Sequence, residues 1–201
     1  MNSSDTRQLV VLASGNRGKL CELAGILAPL GLQLVSQADF AVADVAETGL
    51  SFVENAIIKA RAAAQASGHP AIADDSGLEV DYLQGAPGIH SARYSGGGDA
   101  ANNAKLLAAL EGVPTAQRSA RFQCALVYMR HALDPMPLVC QGSWEGTILE
   151  APRGENGFGY DPLFYLPQQQ LSAAELEPGL KNRISHRARA SARLLEALRG
   201  R

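Results

Sequence analysis

Leu9-Val10-Val11-Leu12-Ala13, then Ser14-Gly15-Asn16-Arg17-Gly18, then Lys19 onward to Leu32–Ser36: this opening stretch decides the fold class. The first five residues form a continuous apolar run, the pattern of a buried strand. The next five are turn formers. From Lys19 the leucines Leu20, Leu23, Leu27 and Leu30 recur at spacings of three and four, which predicts a helix closed by Pro29-Leu30-Gly31. Leu32–Ser36 reads as a second strand. Strand, helix and strand in so short a stretch make a βαβ unit, which predicts a parallel pair and an α/β class.

Outward from that unit, Gln37–Gly49 is a polar connection carrying Asp39, Asp44 and Glu47. Ser51-Phe52-Val53-Glu54 has capping-box spacing, and an Ala-rich helix follows to about Ser67, where Gly68-His69-Pro70 stops it. Ala71-Ile72-Ala73 is a short buried strand leading into Asp74-Asp75-Ser76-Gly77, with Leu78–Leu83 a further candidate strand. Gly85–Gly98 is glycine-rich and reads as loop, and Asp99 is placed to cap a helix running to Leu110. Ala120–Arg130 alternates, with Phe122, Cys124, Leu126 and Tyr128 on one face. Leu138–Ile148 is a second extended run, so an antiparallel pair is expected. Gly154–Asp161 is another glycine-rich loop, and Ser172-Ala173-Ala174-Glu175 opens a short helix. A basic amphipathic helix through Ile184, Ala188, Ser191, Leu195 and Leu198 closes the chain. The expected architecture is a mixed α/β fold with a cleft between two lobes.

At 201 residues the chain makes one ordinary domain or two small lobes with a sizeable core. An apolar fraction of 46% with 19% charged residues excludes a disordered chain. Lys and Arg number 18 against 20 Asp and Glu, a net charge of −2 with pI near 6.1, so no global basic field exists to hold nucleic acid. No apolar run approaches a membrane span. Met1–Gln8 is polar and lacks the order of a signal peptide. A cytoplasmic protein with neither a membrane nor a nucleic-acid partner is the expectation. Cys21, Cys124 and Cys140 include no C-x-x-C pair, which argues against a zinc site or disulfide framework and for small buried thiols.

Five stretches carry candidate chemistry. Ser14-Gly15-Asn16-Arg17-Gly18-Lys19 lies between a strand and a helix start, where free N–H groups and the helix dipole favour an anion and Lys19 adds a charge. Its spacing is not that of a Walker A loop, and a plain βα turn is the alternative. Asp74 and Asp75 at the end of a buried strand are costly without a positive partner. A divalent metal would supply one, and a carboxylate beside it would take a proton from an attacking water. An Asx-turn is the plainer alternative, though it needs only one Asp. Glu47 is a candidate second ligand. The loops Gly85–Gly96 and Gly157-Phe158-Gly159-Tyr160-Asp161 combine glycine with aromatic rings, as a nucleobase site needs, or fill core. Lys181, His186 and Arg187 crowd cations at a helix start, which makes sense if an anion or carbonyl sits there, a solvated basic face being the plainer alternative.

Together these stretches resemble the inosine triphosphate pyrophosphatase family, the non-standard purine NTP or dITP/XTP pyrophosphatases, and its bacterial branch in particular. The resemblance is carried by Ser14–Lys19 with Glu22, Glu47-Thr48-Gly49, Glu54-Asn55-Ala56, Lys59-Ala60-Arg61, Ala73–Gly77, Gly85–Gly96, Phe158–Asp161 and Ser185-His186-Arg187, in the family's order over nearly the whole chain. One departure is Ala46, where some relatives have a second acid, leaving Glu47 as the obvious ligand there.

The resemblance implies one nucleoside triphosphate pyrophosphatase domain over residues 1–201, a mixed, elongated sheet flanked by helices, a central active-site cleft and a homodimer. It implies hydrolysis of a purine nucleoside triphosphate between the α- and β-phosphates, with Mg²⁺. Ser14, Gly15, Asn16, Arg17, Gly18 and Lys19 would hold the triphosphate, assisted by Lys59. Asp75 would be general base and metal ligand, with Glu47 supporting the metal. Ser76, Phe158, Gly159, Tyr160, Asp161, Lys181, His186 and Arg187 would contact substrate, mostly around the base. The competing readings are a nucleotide-binding sensor without turnover and a phosphatase releasing orthophosphate.

Overall fold

The computed structural model describes residues 8–15 and 17–200, without the side chains of residues 17, 18, 21 and 22. The strands are β1 (Gln8–Leu12), β2 (Leu32–Ser36), β3 (Ala71–Val80), β4 (Ser119–Met129), β5 (Leu138–Ile148), β6 (Phe164–Leu166) and β7 (Leu171–Ser172). The α-helices are α1 (Arg17–Leu27), α2 (Phe52–Ser67), α3 (Asp99–Ala109), α4 (Pro178–Ile184) and α5 (His186–Arg199). The strands form one sheet in the order β2-β1-β3-β4-β5-β6-β7. β1 pairs in parallel with both β2 and β3, whereas β6 pairs antiparallel with β5 and with β7. The sheet is therefore mixed, and the α/β class expected from the opening βαβ unit is what the structure has. No helix among the described residues is long and apolar enough to cross a membrane.

The chain divides into two compact units, the first made of Met1–Asp75, Ala125–Gln141 and Ala190–Arg201, the second of Ser76–Cys124 and Gly142–Arg189. In the first, the part of the core against α2 is built mostly from small side chains. α2 turns Ala56, Ala60, Ala63 and Ala64 inward at helical spacing, onto Val11, Ala13, Ala71, Ala73, Ala125 and Val127. Alanine lets the helix backbone lie close to the sheet, so a long polar side chain beside that stripe reaches the strand ends.

The second unit has a core of large rings. Phe122, Trp144 and Phe164 meet at 4.6 Å (Phe122–Phe164) and 5.5 Å (Trp144–Phe164) between ring centres. Leu78, Val80, Leu106, Ile148, Tyr160 and Leu163 pack around them. Arg121 and Glu145, pointing the other way from β4 and β5, form ion pairs instead, Arg121 with Asp81 just past β3 at 2.8 Å and with Glu145 at 3.1 Å.

The structure corrects three local expectations. Asp74-Asp75-Ser76-Gly77 does not close a strand: β3 runs unbroken through it to Val80, and Leu78–Leu83 is the end of that strand plus a 3-10 turn at Asp81–Leu83. Ser172–Glu175 opens no helix, because Ser172 ends β7. Its N–H still donates to Glu175 Oε2 at 2.7 Å, so the capping contact forms around a turn. The short helix in this region is α4, which begins at Pro178, a residue preset for a first helical turn.

Candidate active site

In the first unit, β1 is paired with β3 only at Val11–Ala71 and Leu12–Ile72. Asp74 and Asp75 lie beyond that pairing, at the carboxyl end of parallel strands where open α/β sheets place their ligands. Adjacent strand residues face opposite ways, and the two carboxylates take different partners. The fully buried Asp74 carboxylate receives Lys19 of α1 at 2.5 Å. Asp75 Oδ1 receives Lys59 Nζ at 2.6 Å, and the same ammonium donates to Glu47 Oε1 at 2.8 Å and to the Asp74 carbonyl at 3.0 Å. Two adjacent acids and the distant Glu47 are thus held by two lysines.

α2 positions this group. Ser51 caps the helix by accepting the Glu54 N–H at 3.2 Å, while Glu54 Oε2 accepts from the Leu50 N–H at 2.9 Å and the Ser51 hydroxyl at 2.8 Å. The N-cap half of the expected capping box forms, but Glu54 reaches back to the Leu50 N–H rather than to that of Ser51. Asn55, fully buried, accepts the Gly49 N–H at 2.8 Å and so ties the Glu47 connection to the helix. A Cβ at Gly49 would strike Glu54 Cβ and Asn55 Oδ1, so the approach requires glycine. Lys59 stands one turn beyond Asn55 on the same face.

Burial raises the Asp75 carboxyl above its ordinary value; Lys59 opposes the rise, and the charges of Glu47 and Asp74 add to it. Burial works against the Lys59 ammonium, but the charge and hydrogen bond of Asp75, with Glu47, outweigh it and raise its pKa. Glu47 and Asp75 present hard oxygens to one shared cation position. Among the described residues no cluster of three or more metal-ligating side chains is assembled. Two carboxylates with the remaining places left to phosphate oxygens and water is the donor set that suits Mg²⁺ rather than an all-protein cage. The group carries one negative charge in excess, three carboxylates against two ammonium ions, so a divalent cation relieves it.

Of the remaining phosphate candidates, Ser14 is half-buried with its N–H on the Leu12 carbonyl at 2.8 Å, and Gly15 is exposed. Arg17 and Gly18 begin α1. Asn16 lies outside the described residues.

In the second unit the two aromatics of the glycine-rich loop part company. Tyr160 is 3% exposed and its hydroxyl donates to the Ser91 carbonyl at 2.8 Å, so it is core, with burial pushing its phenol up. Phe158 is 59% exposed and presents its ring to solvent. Gly157 and Gly159 flank it with φ of +82° and +63°, a backbone only glycine adopts readily. Asp161 is buried, accepts the Phe158 N–H at 2.9 Å and pairs with Lys181 of α4, whose Nζ lies 5.2 Å from the Phe158 ring centre. Ser185 separates α4 from α5 and accepts the Ala188 N–H at 3.3 Å. His186 and Arg187 therefore open α5, both nearly buried. The His186 imidazole stacks on Phe122, 4.9 Å away and 18° from parallel, which fixes its plane. Ser76 is half-buried. Arg189, by contrast, is spent on the Ser143 carbonyl at 2.7 Å.

The model of the Ham1 family matches residues 10–197. The chain belongs to the Ham1 family. The dITP/XTP pyrophosphatase of Vibrio parahaemolyticus is 60% identical over 183 residues, covering 90% of this chain and 92% of its own. The dITP/XTP pyrophosphatase of Photobacterium profundum is 59% identical over 192 residues, covering 94% of this chain and 98% of its own. The solved HAM1 protein of Coxiella burnetii superposes with a TM-score of 0.92 at 49% identity, over 96% of this chain and 100% of that one.

Proposed function

We propose that this Ham1-family chain hydrolyses non-standard purine nucleoside triphosphates, dITP, ITP and XTP, releasing the monophosphate and pyrophosphate and so cleansing the nucleotide pool. The observation that carries the reading is the convergence of Glu47 and Asp75 on one cation position, backed by Lys19 and Lys59. Identity of 60% to a dITP/XTP pyrophosphatase supports the substrate class.

Cleaving a phosphoanhydride calls for neutralised charge and a placed water more than for a covalent nucleophile. Mg²⁺ fits the Glu47 and Asp75 carboxylates, and when bound it would supply neutralisation of the charge on the phosphate oxygens beside the P–O bond that breaks. Lys19 and Lys59 bring positive charge to the triphosphate, and the turn Ser14, Gly15, Asn16, Arg17 and Gly18 adds donors at the start of α1. Asp75 takes the proton of the attacking water. Lys59 holds Asp75 and Glu47 side by side until substrate arrives.

Base recognition falls to the second unit. Phe158 offers a ring face for stacking. His186 and Arg187 offer donors to the 6-oxo group of hypoxanthine or xanthine, whereas the 6-amino group of ATP would leave those donors unpaired. Ser76, Gly159, the Tyr160 backbone, Asp161 and Lys181 complete the contacts. The reading includes a cytoplasmic homodimer as the working form. A panel of ITP, XTP, GTP and ATP with and without Mg²⁺ tests it. Turnover of ITP and XTP well above ATP, only with the metal, is expected, and binding without turnover would replace the enzyme with a sensor.

A further inference from the structure

The loop that carries Phe158 has a glycine on either side of the ring, and two left-handed glycines give a segment with little stiffness of its own. It is nevertheless held from outside. The Gly159 N–H donates to Asp99 Oδ2 at 2.7 Å, and the Gly159 carbonyl accepts from Asn103 Nδ2 at 2.9 Å. Both residues belong to α3 and stand one turn apart, so a single helix face takes the two polar groups of one residue. Asp99 does not cap its own helix, where Gly98 is the N-cap and no side-chain cap bond forms. α3 is itself anchored. Asn102 accepts the Ser95 N–H at 2.7 Å and donates to the Ser91 and Ala92 carbonyls at 3.3 and 3.2 Å.

We propose that Asp99 and Asn103 are positioning residues for base recognition, a clamp on Gly159 that fixes the exposed Phe158 ring for stacking on the purine. The proposal rests on the reading of Phe158 as the stacking residue. The clamp sets where the ring stands before substrate arrives, so the ordering cost is met in folding rather than in binding. Its loss acts on KM and leaves the chemistry at Asp75 alone.

The test uses the full-length enzyme with ITP and Mg²⁺, comparing Asp99→Ala, Asp99→Asn, Asn103→Ala, Phe158→Ala and the Asp99→Ala/Phe158→Ala double variant, each with its melting temperature. Asp99→Ala and Asn103→Ala are each expected to raise KM about tenfold with kcat within about twofold, the scale of one lost hydrogen bond. Asp99→Asn keeps an acceptor oxygen and should restore KM to within about threefold of wild type. The double variant should be no worse than Phe158→Ala alone, because a clamp has nothing to position once the ring is gone. If Phe158→Ala raises KM while the Asp99 and Asn103 variants do not, the clamp is overturned and the base-stacking reading stands. If Phe158→Ala leaves KM unchanged, the base-stacking reading falls and the clamp with it. Equal impairment by Asp99→Asn and Asp99→Ala would assign Asp99 to the charge of the helix start and overturn the proposal. Additive effects in the double variant would do the same. Should Asp99→Ala fail to fold, Asn103→Ala and Asp99→Asn decide the matter by the same readouts.

Discussion

Replacing Asp75 with Asn separates chemistry from architecture. The substitution keeps the side chain's shape but removes the lone pair that accepts the water proton and the charge facing the cation position. Lys59 would still hold Glu47 at 2.8 Å and the Asp74 carbonyl at 3.0 Å, so the local framework survives. The sign of the Asp75 shift points the same way. A carboxyl whose folded pKa is raised contributes stability below its ordinary value of 3.8 that is lost as pH rises through the folded value. At neutral pH the ionised Asp75 is thus a destabilising group, and the Asn variant should melt no lower than wild type. General-base contributions begin at ~10²-fold. That corresponds to ~2.7 kcal/mol of activation free energy. The assay is steady-state kcat for ITP at saturating Mg²⁺ across about pH 4–9, which spans the carboxylate and neutral regions. Wild type should lose activity on the acid side as Asp75 takes up a proton, and the variant should lack that limb. A kcat within about threefold of wild type would refute the role of Asp75 and move the base to Asp74 or Glu47, since even the weakest general base contributes more.

Three further expectations follow from the geometry. Lys19→Ala should raise KM for ITP and ATP alike and leave their kcat/KM ratio unchanged, because phosphate carries no information about the base. His186→Ala and Arg187→Ala should lower kcat/KM for ITP by about tenfold or more, the scale of one or more lost base-reading hydrogen bonds, and hardly affect ATP. The ratio is the readout, since His186→Ala also removes a ring stacked on Phe122. Asp134→Ala should lower the melting temperature by about 2–4 °C or more, as differential scanning would show. Its buried carboxylate accepts from the Arg130 guanidinium and from the Arg130 and Met136 N–H groups. The Arg130 hydrogen bond holds its pKa well below the usual carboxylate range, so this stability is present above the ordinary value and lost as pH falls below it.

The first βαβ unit was legible because each element there announces itself locally: an apolar run for β1, leucines at helical spacing for α1, an observed β2 at Leu32–Ser36. Asp74-Asp75-Ser76-Gly77 misled because polar and glycine residues in sequence look like a turn. The segment stays extended in part because each acid has a cation supplied from elsewhere, Lys19 lying 55 residues away and Lys59 lying 16 away. No local pattern shows such a partner. The same limit applies to Phe158 and Tyr160. Spacing marks both as loop aromatics, and only the Ser91 carbonyl, 69 residues from Tyr160, makes one of them core. The contact of Asp99 with Gly159, 60 residues on, was hidden behind a plausible helix cap. Asn55 drew notice within a motif, but its hold on the Gly49 N–H required the fold.

The central claim is that the cluster around Lys59 serves a pyrophosphate-releasing hydrolysis, and product identity tests it most directly. Purified enzyme with ITP and Mg²⁺, followed by phosphorus NMR, should yield the monophosphate and pyrophosphate in equal amounts with no diphosphate. Formation of the diphosphate with orthophosphate would contradict the account, because it would place the broken bond between the outer two phosphates.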